Sequence, residues 1–89
     1  MWGVELEMIR VRVRLFSILR ERAAREELEL VLAQNSSCRD ALLRLKSIFG
    51  FPESILERSL VAVNGVYAGR DTSLSNEDEL ALLPPVSGG

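Results

Sequence analysis

Ile9-Arg10-Val11-Arg12-Val13-Arg14-Leu15 alternates apolar and basic side chains without a break. Successive side chains on an extended chain point to opposite faces, so this spacing predicts a strand with one buried and one solvated side. The arginines read as a solvated face that could also steer an acidic partner. Phe16 falls on the arginine parity, an aromatic where a polar residue is due. Working outward, Ser17 to Arg25 reads as a short helix, with Ile18 and Leu19 apolar and Arg20, Glu21 and Arg22 exposed. Leu28, Leu30 and Leu32 then alternate with polar or smaller neighbours, predicting a second strand over 27–32, antiparallel to the first.

Ser37 stands where a helix cap belongs, and Asp40 follows at the spacing of an approximate capping box. Ala41, Leu42, Leu45, Ile48 and Phe49 recur at helical spacing and Gly50 supplies a stop, which predicts a helix from Cys38 to Phe49 across the sheet. Cys38 lies near its start, where the helix dipole could activate a thiol, although a small buried apolar residue is the commoner role. Phe51 to Arg58 reads as a loop or single turn around Pro52. Val61 and Val63 lead into Asn64-Gly65, a strong hairpin signal, with Val66 and Ala68 returning on the same face and Tyr67 on the other. Gly69 to Thr72 is turn-like, and Asn76 to Glu79 forms an acidic turn before a last strand, Leu80 to Leu83. With Leu80 and Leu82 inward, Leu83 points outward. Strand, strand, helix, strand, strand, strand is the order of an α+β roll in which one main helix crosses a five-stranded mixed sheet. Phe16, Tyr67 and Leu83 all oppose the core parity near strand ends, as scattered exposed residues or as a converging docking patch.

The 89 residues suit one domain. Net charge is −2, against general nucleic-acid binding. Through Arg25 six arginines face three glutamates, and the remainder holds five bases and ten acids. One cysteine excludes an internal disulfide and fits a reducing compartment. No segment reaches the roughly 20 apolar residues of a membrane span, nor does the start resemble a secretory signal, so a cytoplasmic protein is expected. Histidine is absent, leaving no side chain with an ordinary pKa near neutrality for acid–base work. One cysteine and no histidine make no metal site, and no phosphate-binding loop or nucleophile motif appears. A self-sufficient enzyme is not indicated.

Pro84-Pro85-Val86-Ser87-Gly88-Gly89 closes the chain. Proline fixes φ and favours an extended path, and the terminal glycines can enter narrow channels because they lack a Cβ. Fully stretched, the six residues reach roughly 20 Å. Their tip is a carboxylate with a pKa of about 3.5, so the tail is either a frayed end or a stalk delivering that carboxylate to another protein. The division expected is an extension over 1–7, a domain over 8–83 and a tail over 84–89.

Arg14-Leu15-Phe16, Leu19-Arg20-Glu21, Val61-Ala62-Val63-Asn64-Gly65, Asp78-Glu79-Leu80-Ala81-Leu82-Leu83 and the tail together resemble the small subunit of molybdopterin synthase, one of the ubiquitin-like sulfur carriers of β-grasp fold. The resemblance covers about residues 8–89, with two departures: Ala24 replaces a common glycine, and residues before Met8 lie outside the pattern. It implies that a separate adenylyltransferase activates Gly89 with ATP and magnesium, and that a persulfide donor supplies sulfur for a thiocarboxylate. Pro84, Pro85, Val86, Ser87 and Gly88 would thread into the synthase large subunit, in a heterotetramer of two copies of each. The sulfur would pass to the pterin precursor, the large subunit's substrate, for a molybdenum or tungsten cofactor. Phe16, Tyr67 and Leu83 match the family's partner surface. The chain would itself bind no cofactor, metal, nucleic acid or membrane and act as a non-catalytic sulfur-donating subunit. A ubiquitin-like modifier joined through Gly89 to lysines is the alternative, because it would use the same adenylate chemistry. A carrier for thiazole or tRNA thiolation is disfavoured by Pro-Pro-Val-Ser, and an inert-tailed interaction module would show no ATP-dependent mass change.

Overall fold

The computed structural model describes residues 7–85. The alternating segment forms β1 (Met8–Leu15), whose odd-numbered side chains are buried while its even-numbered ones are exposed. α1 (Ser17–Ala23) follows, and its left-handed C-cap is Ala24, at φ 58°. That conformation suits glycine better than alanine, which gives the departure at this position a small backbone cost. β2 (Glu27–Ala33) runs back antiparallel to β1 in the register Val13↔Leu28, Val11↔Leu30 and Ile9↔Leu32. The predicted leucine stripe therefore lies on the face that β1 buries.

α2 (Cys38–Phe49) has the expected bounds. The Ser37 hydroxyl accepts from the Asp40 amide at 3.3 Å, while the Ser37 amide donates to the Asp40 carboxylate at 2.9 Å. This reciprocal pair satisfies two donors that a helix start leaves free. Gly50, at φ 68°, closes the helix with a left-handed turn. Ala41, Leu42 and Leu45 face the sheet, whereas Ile48 is exposed, contrary to its assignment to the apolar stripe. Leu45 and Phe49 set the axis of that stripe, and Ile48 lies about a hundred degrees round the helix from Phe49.

Residues 53–58 are more regular than the expected loop or single turn. They form α3 (Glu53–Arg58), capped by the extended Pro52 and sealing Leu56 against the core. Six residues cannot sustain a helix by hydrogen bonding alone, so packing of Leu56 and half-buried Ile55 decides the conformation. Arg70 adds to this by donating to the carbonyls of Leu56 and Glu57 at the helix end. β3 (Leu60–Val63) and β4 (Val66–Ala68) make the predicted hairpin, and β5 (Glu79–Leu83) completes the sheet in the order β2-β1-β5-β3-β4. The hairpin register is as expected, but Val66 is exposed, on a strand that forms the edge of the sheet.

β1 and β5 are parallel at the centre, with Val13↔Leu80 and Leu15↔Leu82. Both strands give their inward side chains to one core, in which Val11, Val13, Leu15, Leu80 and Leu82 meet Leu19, Leu45 and Phe51. Leu80 has no exposed surface. Leu80→Ala should cost about 2–5 kcal/mol, read as a lower denaturation midpoint with unchanged slope.

Candidate functional site

The site forms where β1 and β5 leave the sheet. Because these strands are parallel and in register, Phe16 after β1 and Pro84 after β5 emerge at the same end. β3 starts there too, pairing Leu60 with Leu83. The result is an open hollow lined by Phe16, Ile18, Leu60, Tyr67, Leu83 and the prolines Pro84 and Pro85, with Glu21, Ile55 and Arg58 at its margin. The three outward apolar residues named from parity thus converge at the root of the tail. Tyr67 is 71% exposed, whereas Phe16 and Leu83 are half-buried. Val86, Ser87, Gly88 and Gly89 lie outside the described residues.

Register also explains the shape. Across the outer face one row reads Arg14, Ala81, Ala62 and Tyr67. The two small side chains in the middle leave a shelf between the arginine and the tyrosine. The Arg14 guanidinium stands 5.5 Å from the Phe16 ring centroid, within cation–π range, and so brings positive charge beside the hollow. Arg58 supplies a second cation from the last turn of α3.

Polar ties fix the tyrosine-bearing hairpin relative to β5. Asn64, at φ 52° in the hairpin turn, donates from Nδ2 to Asp78 Oδ1 at 2.9 Å, while its Oδ1 accepts from the Glu79 amide at 2.9 Å. Asp78 Oδ2 also accepts from the Ser75 amide at 2.8 Å. One carboxylate therefore holds both the acidic turn and the hairpin that carries Tyr67. These contacts fix the position of Tyr67 relative to the end of β5.

Cys38 lies far from activation chemistry in character. It has no exposed surface, and burial pushes its thiol pKa above the ordinary value, with a smaller raising effect from Asp78 and an opposing one from Arg70. The dipole effect considered for it does not prevail. Among the described residues no cluster of acidic or sulfur side chains could hold a metal ion, and no helix is long and apolar enough to cross a membrane.

Sequence reading missed Leu60, Ile55 and Arg58. Leu60 shares the outward parity of Tyr67 and was open to the same rule. The other two lie on α3, whose helical form depends on packing.

The ThiS family matches residues 13–89. The chain is 37% identical to the molybdopterin synthase sulfur carrier subunit of Dictyostelium discoideum over 88% of its own length and 94% of that protein. The small archaeal modifier protein 1 of Methanosarcina acetivorans is 31% identical with a TM-score of 0.75, covering 93% of this chain and 99% of that one. A Pyrococcus furiosus protein assigned as molybdopterin converting factor subunit 1 is 28% identical with a TM-score of 0.78, covering 88% and 99%. The fold is the ubiquitin-like β-grasp.

Asn64→Gly keeps a residue suited to positive φ but removes both side-chain ties, so it isolates their contribution. It should cost about 1–2 kcal/mol in denaturant unfolding and speed hydrogen exchange at the Glu79 amide.

Proposed function

The chain belongs to the ThiS family, and from that premise we propose that it is the sulfur carrier and small subunit of molybdopterin synthase. The observation that carries the reading is the convergence of Phe16, Tyr67 and Leu83 at the root of a Pro-Pro-Val-Ser-Gly-Gly end. An apolar face around the exit of the tail lets one docking event both bind the partner and aim the chain end into it. The chemistry then needs nothing more from this protein than a terminal carboxylate.

A free carboxylate is a poor acyl donor because its leaving group would be oxide. A separate adenylyltransferase, using ATP and magnesium, joins the Gly89 carboxylate to AMP and expels pyrophosphate. A persulfide donor attacks the adenylate carbonyl and expels AMP, which gives an acyl disulfide; a second thiol then cleaves its S–S bond, releasing the thiocarboxylate and leaving the donor as a disulfide. In the large subunit this sulfur passes to the pterin precursor and Gly89 returns to a carboxylate. Acids, bases and electrostatic stabilisation come from the partners, consistent with a sequence that holds no histidine. The setting for this exchange is the cytoplasm, and the assembly with the large subunit is a heterotetramer.

The similarity to an archaeal modifier protein keeps one other use of the same activated end in view, attachment to lysines of other proteins. Stable higher-mass adducts that vanish when Gly89 is deleted would favour that use. For the carrier, intact mass after incubation with the activating enzyme, ATP, a persulfide and a reducing thiol should rise by one oxygen-to-sulfur exchange at Gly89. A chain lacking Gly89 should fold with unchanged denaturation midpoint and take up no sulfur; persistent carboxylate in the full chain would count against the reading.

Tyr67 and Phe16 allow a separate check. Tyr67→Ala removes little buried area from the fold, so stability should change by less than about 0.5 kcal/mol. Its binding to the large subunit should weaken by about 2 kcal/mol or more, measured by calorimetry, with Phe16→Ala acting in the same direction.

A further inference from the structure

Ten arginines stand against one lysine, Lys46, and the single thiol is buried. The imbalance has a chemical consequence for a protein whose own end becomes an acylating agent. In the activated state an ε-amine nitrogen could attack the Gly89 carbonyl carbon. A C–N bond would form as the C–O bond to AMP breaks, AMP would leave with the electron pair, and the amine's proton would pass to solvent. The product, an amide, would be a dead end for sulfur transfer. An amine tethered to the same chain meets its end at an effective concentration in the millimolar range, so proximity alone makes this reaction competitive.

Placement of the candidate acceptors is one-sided. From Pro85, the four residues to Gly89 span at most about 14 Å, so acceptors near the tail's root are the ones that matter. The cations beside that hollow, Arg58 and Arg14, are guanidinium groups, which keep their charge and are not nucleophilic as amines are. Hydroxyls of Ser17 and Tyr67 are present, but no histidine is available to activate them, and a carboxylate such as Glu21 does so far less well, so they are weak acceptors beside an amine. Lys46 belongs to a different hollow between α2 and α3, with Leu42, Leu43, Leu56 and Glu57, and its ammonium lies 3.5 Å from the Glu53 carboxylate. Cys38 is closed off inside the core.

Resting on the carrier reading above, we propose that Arg58 and Arg14 determine the fate of the activated terminus: they supply the positive charge of the docking face without an acyl acceptor, so that Gly89 survives to meet sulfur. The role needs arginine specifically, and lysine at either position would retain the charge while opening the side reaction.

The test uses the full chain carrying Gly89 as a mercaptoethanesulfonate thioester, which requires no activating enzyme. With the α-amine of the chain blocked by acetylation, in mildly alkaline buffer the wild type and Lys46→Arg should both lose the thiol by hydrolysis to the carboxylate. Arg58→Lys and Arg14→Lys should instead give an internal amide at a rate roughly tenfold higher or more than wild type. That product weighs one water less than the carboxylate form, and digestion yields a peptide joining position 58 or 14 to Gly89. Amide at Lys46 or thioester at Cys38 in the wild type at a comparable rate would overturn the proposal, as would failure of both lysine variants to exceed wild type while still folded by circular dichroism. A parallel incubation with the activating enzyme, ATP, persulfide and a reducing thiol separates the two ideas: absence of sulfur loading there counts against the carrier reading and leaves the thioester result to stand on its own.

Discussion

Parallel pairing of β1 with β5 is the constraint on which the rest of the molecule depends. These two strands are distant in sequence, and in register they bring Leu15 beside Leu82. Every feature of the candidate site follows from that alignment. Chain exits from parallel neighbours point the same way, so the aromatic after one strand and the prolines after the other share one end of the sheet. Antiparallel pairing would have put Phe16 and Pro84 at opposite ends and left no hollow at the tail's root.

The pairing is held from both sides. On the inner face, Val13, Leu15, Leu80 and Leu82 are sealed by α1, α2 and Phe51, and their burial supplies the dominant favourable term. At the far end of the two strands, backbone bonds join them to the acidic turn: the Arg12 amide donates to the Asp78 carbonyl at 2.9 Å and the Glu77 amide to the Arg10 carbonyl at 2.7 Å. Asp78 then extends the clamp to the hairpin through Asn64. The outer face carries few large apolar groups except around the hollow, where burial within the chain is incomplete and a partner would complete it. The apolar corner at the tail's root is set by the folded sheet, so a surface that met it would pay little further ordering.

Electrostatics sort along the chain in the same sense. The basic excess lies in the first 25 residues, largely on the exposed face of β1 and on α1, while the later segments are acidic. Beside the tail's root the positive charge is guanidinium, and the only amine-bearing side chain lies on the helical side in an ion pair. Charge is thus available for recognition where nucleophilicity would do harm.

Much of this was legible in one dimension. Strict alternation from Ile9 to Leu15, the Ser37–Asp40 box and the Asn64-Gly65 turn are local signals, each fixed by the geometry of a few bonds, and β1, α2 and the hairpin appear where those signals put them. Parity along single strands likewise told that Phe16, Tyr67 and Leu83 oppose the core. What no stretch contained was the form of residues 53–58, the exposure of Ile48 and Val66, or the part played by Arg58. A short helix has too few hydrogen bonds to stand without Leu56 packed beneath it, and exposure depends on where a neighbouring element ends. Sequence by itself determined the elements and the direction of each side chain from its own strand or helix. Tertiary structure alone decided which of those side chains meet, because convergence is set by contacts between segments dozens of residues apart, above all the parallel union of the first strand with the last.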